Sequence, residues 1–471
     1  MHGTEPTATL ATLSPAQATV AIDAFSIDLP YQSGIGVYGR GLANAYRAAG
    51  FSVAGLFGRS SSRFSDPLLT EIGFHRAGSA TMSARDRLRL QLRRLTGNAL
   101  IGSARCTEVA RSGIILYEPV NNRLQYFDRI LNASQLFTKA ASYFQRTGRF
   151  FSVRLPQDVA LMHWTMPLPI RAEGIPNIYT ILDVIPFVLP YATLGKPHRE
   201  MQLFKHILAQ ADQVVTISEH SRRDISRVFH YDAERICNAY LSSNIDPDIV
   251  AETDAEVRSY LDRAERLKFR KYFIYTGSIE PRKNVDRLLD AYLKADTALP
   301  LVICSSTGWL NTQTLARLDY AAKTLDLLRG SDPGGVISAE GKRIIRVSQG
   351  SDAHVARLIR GARALVYPSI YEGFGLPVLE AMELGTPVIT ARASSTSEIA
   401  ADAALLVDPL SVRDIAAAID RIDRDEALCA RLAQAGSRRA LDFSAPGFSA
   451  RIRAMAEGQL SRRGLLAQSR A

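Results

Sequence analysis

The chain predicts an α/β protein built from two doubly wound, Rossmann-like domains facing each other across a cleft. Three observations lead there. Its 471 residues exceed the ~250–300 at which a single core stops growing, so two domains are expected. Two strand–loop–helix starts, at Thr19 and Tyr272, stand roughly 250 residues apart. Beyond the second start, short apolar runs alternate with helical patterns, as in a parallel sheet covered on both faces. A hydrophobic content of 46% suits a fully globular chain.

Residues 1–19 are rich in Ala and Thr and have neither a basic start nor an apolar core. They read as a frayed tail, not a secretory signal. The first strand is Thr19-Val-Ala-Ile-Asp23, and a loop ending Ser33-Gly-Ile-Gly36 leads into a helix from about Val37 to Ala49, closed by Gly50. This opens a first domain over residues 20–250, with a basic insert over 80–155. The charged stretch 251–268 is the expected linker, with a helical tail. The second domain, 269–445, opens with the strand Tyr272-Phe-Ile-Tyr-Thr-Gly277. There Ser278-Ile-Glu-Pro-Arg-Lys283 leads into a helix capped by Asn284, with Val285, Leu288, Leu289 and Tyr292 on one face. Further strands are expected near residues 301–304, 344–347, 364–367 and 388–390, and a helix near 355–362. Ligands of such sheets bind at the carboxyl ends of the strands, so the cleft is the expected site.

The chain carries 57 Lys and Arg against 47 Asp and Glu, a formal charge of +10. That excess implies an anionic partner: nucleic acid, a membrane surface or a phosphorylated substrate. Cys106, Cys237, Cys304 and Cys429 form no CxxC pair, so neither a zinc site nor a disulfide framework is indicated. Free thiols in a reducing compartment fit better. No stretch of about 18 apolar residues suggests a membrane-spanning helix.

The run Tyr367-Pro-Ser-Ile-Tyr-Glu-Gly-Phe-Gly-Leu-Pro-Val-Leu-Glu380 names a chemistry. An apolar strand ends at Tyr367, and a helix begins near Pro377, which suits a first helical position because its missing N–H costs nothing. The amides of Phe374, Gly375 and Leu376 are then left without intrahelical partners, a ready site for phosphate oxygens. Gly373 and Gly375 let the backbone approach a ligand closely. Glu372 falls in the loop and Glu380 in the first helical turn, on either side of that anion site. Carboxylates there call for hydroxyl partners, and hydroxyls flanking a diphosphate describe a nucleotide sugar. A simple helix start with a favourable acid is the plainer reading.

The Glu-x7-Glu spacing inside EGFGLPVLEAM resembles the retaining glycosyltransferases of family 4, the group 1 transferases of GT-B fold. Ser33-Gly-Ile-Gly-Val-Tyr38, the segment Ala211 to Glu219 with Ser221-Arg-Arg223, Pro368-Ser369 and Leu406-Val-Asp-Pro409 match as well, so the likeness runs from Val20 to Phe443. The resemblance implies that Glu372 lies beside the donor sugar and that Glu380 holds the ribose hydroxyls. It places His163 near the donor hexose, although a lone His beside Trp164 is often a core residue. It also implies a last helix, 446–471, that crosses back to the first domain. The chain departs from the family at Gly277-Ser278, where Gly-Arg is usual, at Thr180-Ile-Leu-Asp183 and at Ala445. Residues 60–156 carry no recognised motif.

Lys283, at a helix start, is the expected phosphate cation. At about 4 Å from a diphosphate oxygen it gains roughly 4 kcal/mol at an effective dielectric near 20, before desolvation. Arg282 is its neighbour in sequence and could equally face water. Gly34 and Gly36 are candidates for the donor phosphates or the acceptor, and Asp183 for orienting the acceptor. No DxD-type pair stands at a strand end, so metal-independent chemistry without a cofactor is expected, with a GDP- or UDP-hexose as substrate. Retention by same-face attack follows, because no nucleophile–base pair is legible. The form Ile-Glu-Pro-Arg-Lys-Asn is common in mannosyltransferase-like members, which favours GDP-mannose and a bacterial surface polysaccharide or lipopolysaccharide.

Seven arginines (85, 87, 89, 93, 94, 105 and 111) lie between 85 and 111, with Leu88, Leu92 and Leu95 on one helical face. A basic amphipathic helix suits an anionic membrane surface and a polyprenyl-diphosphate-linked glycan acceptor. An exposed helix packing its leucines on the first domain has the same pattern. A cytoplasmic protein, peripheral on the inner face of the cytoplasmic membrane, is the resulting expectation. GT-B synthases or phosphorylases acting on soluble sugars remain an alternative. Nucleic-acid binding lacks aromatic-interleaved basic motifs, and a nicotinamide dehydrogenase lacks Gly-x-Gly-x-x-Gly after its first strand.

Overall fold

A computed structural model describes residues 18–29, 34–61, 64–79, 102–115, 123–193, 195, 197–305, 312, 314–318, 336–337 and 343–465. Its frame is two open sheets with helices on both faces. The first has eight strands in the spatial order Ile236–Asn238, Gln213–Thr216, Asn177–Thr180, Val159–Trp164, Thr19–Asp23, Ser52–Phe57, Arg129–Asn132 and Thr107–Val109. Every pair is parallel except the last, where Thr107–Val109 runs antiparallel on the edge. Thr19–Asp23 is buried along its whole length, as a central strand covered on both faces must be. Its side chains alternate: Val20 and Ile22 join one apolar cluster, Ala21 the other.

The second sheet has seven strands, ordered Val336–Ile337, Arg343–Ser348, Leu301–Ser305, Phe273–Thr276, Ala364–Tyr367, Val388–Ala391 and Leu405–Val407. Only the edge pair Val336–Ile337 with Arg343–Ser348 is antiparallel. Ser103–Arg105, Phe151–Arg154 and Ile170–Ala172 form a small third sheet beside the first.

Several boundaries differ from the sequence expectation. Ala18 is fully buried and Thr19 already pairs with Ser52, so the core begins inside the segment read as a tail; residues 1–17 lie outside the described residues. The stretch 251–268 is not a free linker. Thr253 and Glu256 form a capping box that starts the helix Asp254–Glu265. That helix buries Val257 and Leu261 completely, and Glu252 beside it accepts a forked hydrogen bond from Arg357 of the second domain. Charge along the segment is its solvent face, and the apolar pair at i and i+4 is what docks it. Part of the motif-free region is integral to the fold, since Arg129–Asn132 extends the first sheet. Most of the arginine-rich segment lies outside the described residues; Arg105 and Arg111 are exposed.

The last helix, Ala445–Arg462, leaves the second domain and lies on the first. Ile452, Ala456 and Leu460 are fully buried, each contributing ~1.5–3 kcal/mol if large and apolar. Ser449 Oγ donates to the Ala45 carbonyl at 2.8 Å and Arg451 Nε to that of Ala239 at 2.6 Å.

Candidate active site

The second domain supplies a charged cluster at the carboxyl ends of its strands. Phe273–Thr276 ends at Gly277, held at φ 132°, where only glycine is unstrained. A single 3-10 turn, Pro281–Lys283, follows. Asn284 then takes a left-handed conformation, φ 63°, and starts the helix Val285–Lys294. Its side chain does not cap that helix as expected. Instead Nδ2 donates to the carbonyls of Pro368 and Pro409 at 2.9 and 2.6 Å, pinning the turn to the next strand.

That pinning sets Lys283 beside Glu372. Lys283 Nζ lies 2.6 Å from Glu372 Oε1 and 2.5 Å from the Tyr367 hydroxyl, which itself donates to Oε1 at 2.9 Å. Arg282 does not face water. Its NH1 donates to Glu372 Oε2 at 2.6 Å and its Nε to Glu280 at 3.0 Å. Glu372 and Lys283 are only 5% and 8% exposed. Burial alone would raise the Glu372 carboxyl, but Arg282 and Lys283 bring it down to about 2, so it stays ionised. Burial, with Arg282 adding to it, lowers the Lys283 ammonium, against the pull of Glu372. The two cations are thus balanced by Glu372 and Glu280. Ser278 donates to Glu280.

The glycine-rich turn lies next to this cluster. The helix runs from Leu376 to Glu383 with Gly375 before it at φ 103°, so Pro377 is its second residue and Glu380 opens its second turn, not its first. The amides of Phe374, Gly375 and Leu376 have no protein acceptor among the described residues. Glu380 is half-buried, and burial, reinforced by Asp352 and Glu383, pushes its carboxyl up to about 7.

From the first domain, Asp183 reaches this turn. A Cβ placed on Gly373 would sit 2.8 Å from Asp183 Oδ2, so the two domains meet where only glycine fits. Burial raises the Asp183 carboxyl, and Arg282 opposes the shift. Gly34 opens the helix Gly34–Ala48 three residues earlier than expected; it is exposed and Gly36 is buried. Val37, Tyr38 and Gly41 of that helix line a small cavity with Leu376 and Phe448.

His163 is not with these groups. It lies in the middle of the first sheet, fully buried, with Nδ1 2.9 Å from the Tyr46 hydroxyl and Nε2 2.9 Å from Thr180 Oγ1. Burial brings its pKa down to about 3, which keeps the ring neutral. Both nitrogens are taken by protein partners, so the core reading describes it. Sequence reasoning missed Tyr367 and Glu280, whose only signal was their place at a strand end and within Glu280-Pro-Arg-Lys283.

Residues 339–439 match the family described as glycosyl transferases group 1. The matched stretch lies within the second domain and includes Glu372, Glu380 and the glycine turn between them. O-antigen chain mannosyltransferase B of Escherichia coli is 34% identical to the chain over 257 residues, 54% of this chain and 62% of that protein. The chain therefore spans about three fifths of the length of that curated relative. Anabaena HepE, solved with UDP-glucose, superposes with a TM-score of 0.60 at 13% identity, over 93% of this chain and 99% of that one. WaaG, a glycosyltransferase involved in lipopolysaccharide biosynthesis, gives a TM-score of 0.52 at 16% identity, over 92% and 98%. The two domains together have the GT-B fold.

Proposed function

We propose that this chain is a retaining, metal-independent glycosyltransferase that moves a hexose from a nucleotide sugar, mannose from GDP-mannose, to a growing, lipid-linked bacterial surface polysaccharide or lipopolysaccharide. One observation carries the proposal: Lys283 and Arg282 converge on Glu372, at the start of the glycine turn whose amides at 374–376 are open and whose Gly373 meets Asp183 of the other domain. The cations and amides suit a diphosphate, and the carboxylates beyond them suit hydroxyls. The likeness to an O-antigen chain mannosyltransferase and to a structure holding UDP-glucose supports donor and acceptor class.

In this reading the bond from the anomeric carbon to the phosphate oxygen breaks while the acceptor hydroxyl bonds to the same face. The acceptor's proton passes to the leaving phosphate oxygen. Lys283 leaves Glu372 for the phosphate and meets the charge developing there, with no metal or other cofactor required. Glu372, released, lies beside the sugar, and Glu380 holds the ribose.

Incubation with GDP-mannose and a polyprenyl-diphosphate glycan tests it. Labelled hexose in the lipid fraction, in the donor's anomeric configuration by NMR and in the presence of chelator, is the expected result. Transfer only to a free sugar phosphate would move the chain to the soluble-acceptor class, and an inverted product would refute retention. Among the described residues no helix is long and apolar enough to cross a membrane. We assign membrane contact to the arginine-rich segment 85–111 of a chain peripheral to the cytoplasmic membrane; no sedimentation with anionic vesicles would refute that.

A further inference from the structure

The loop that carries Glu372 is held from both domains. From its own side, Ser394 Oγ accepts the Glu372 amide at 3.1 Å and Ser395 Oγ donates to the Glu372 carbonyl at 2.8 Å. Ser394 sits at φ 53°, a left-handed conformation that a non-glycine residue keeps only where its surroundings over-determine it. One turn along the same short helix, Ser394–Ala400, Glu398 points at the first domain. Its two carboxylate oxygens accept the amides of Glu219 and His220, both at 2.8 Å. Those amides belong to the first turn of the helix Glu219–Phe229 and have no intrahelical partner, and the helix dipole there favours an anion.

That first-domain helix holds the residues on either side of Glu372. Ser218 and Ser221 both donate to the Gly373 carbonyl, at 2.8 and 3.2 Å, and both are fully buried. Ser218 at the same time caps the helix by accepting from Ser221. On the other side the Tyr371 hydroxyl donates to Asp224, one turn further along and 5% exposed. One helix of the first domain therefore grips residues 371 and 373, and the residue between them is the carboxylate of the donor site.

We propose that Ser218, Ser221 and Asp224 of the first domain, with Tyr371 and Glu398 opposite them, are positioning residues that set the Glu372 carboxylate in register only when the two domains are closed. This rests on the transferase reading for its consequence, since the group being placed is the one assigned to the donor sugar. None of the five touches the diphosphate cluster through its side chain. Donor phosphates bind the second domain in either state, whereas transfer requires the clasp. The clasp thus couples closure to turnover and leaves nucleotide affinity alone.

Tyr371→Phe and Glu398→Gln test it in the full chain. Both are expected to slow turnover at saturating donor by about tenfold or more, with the Kd for the nucleoside diphosphate changed less than about twofold. Asp224→Asn keeps an acceptor for the tyrosine and is expected to retain turnover that Asp224→Ala loses. Amide exchange of the peptide spanning 369–376 is expected to quicken about fivefold or more in Tyr371→Phe. Unchanged turnover, equal loss in the two Asp224 variants, or nucleotide affinity falling in step with turnover would each overturn the proposal. Should the unmodified chain transfer sugar from no nucleotide donor, the transferase reading fails, and exchange alone decides: no change in Tyr371→Phe overturns the clasp.

Discussion

Lys283, the phosphate ligand we propose, rests on a carboxylate. Its charge is shared between Glu372 and the Tyr367 hydroxyl, which fix where the ammonium sits. Lys283→Ala is expected to lower transfer by more than about tenfold, the ~2 kcal/mol that half of its Coulomb term represents, measured as initial rate at saturating donor. His163 makes the opposite point. Held near pKa 3 by burial, it binds a proton in the unfolded chain from about pH 6.5 downward and not in the folded one. Its stabilising contribution is therefore complete above pH 6.5 and lost as pH falls toward 3. The slope is up to about 1.4 kcal/mol per pH unit. Unfolding midpoints of His163→Gln between pH 7 and pH 4 are expected to fall less steeply than the parent's. Asp23 and Glu380, pushed up to about 6 and about 7 by burial, act in the other direction in both proteins, so the difference isolates the imidazole. Glu372 with its glycine turn, and Lys283 at its own helix start, were each legible because each motif is local, although 89 residues separate the two side chains that meet. The fate of His163 was not, because it depends on Tyr46 and Thr180, 117 and 17 residues away.

At the scale of elements, the turn at Asn284 decides where Lys283 points. A left-handed backbone suits asparagine better than alanine, and its amide satisfies two buried carbonyls at once. Asn284→Ala is expected to destabilise the second domain by about 2–3 kcal/mol, two lost hydrogen bonds plus backbone strain, read from denaturant midpoints, and to weaken nucleotide binding. The helix itself was legible from Val285, Leu288, Leu289 and Tyr292, all buried. The cap was misread because residue type names a preference and not the partner the side chain finds. The segment 251–268 failed similarly: its charges suggested a linker, but two apolar residues one turn apart were enough to bury one face.

For the whole molecule, the sheets were legible from alternating apolar runs, whereas the approach of one domain to the other was not, because no periodicity encodes a contact between residues 183 and 373. Gly373→Ala tests that approach. Its new Cβ would stand 2.8 Å from Asp183 Oδ2, and backbone must shift to relieve it. Transfer is expected to fall by about tenfold or more while nucleotide binding to the second domain persists, measured by titration calorimetry. The chain passes between domains near Tyr240 and again at Phe443, and the two rings touch edge to face, centroids 5.4 Å apart. Phe443 in turn meets Phe374 of the glycine turn at 5.8 Å. Two covalent passages side by side act like a pair of door pins, leaving swing as the easy motion. Phe374 bolts the glycine turn to those pins, so a smaller side chain at Phe443 would loosen the turn from the place where the chain changes domain.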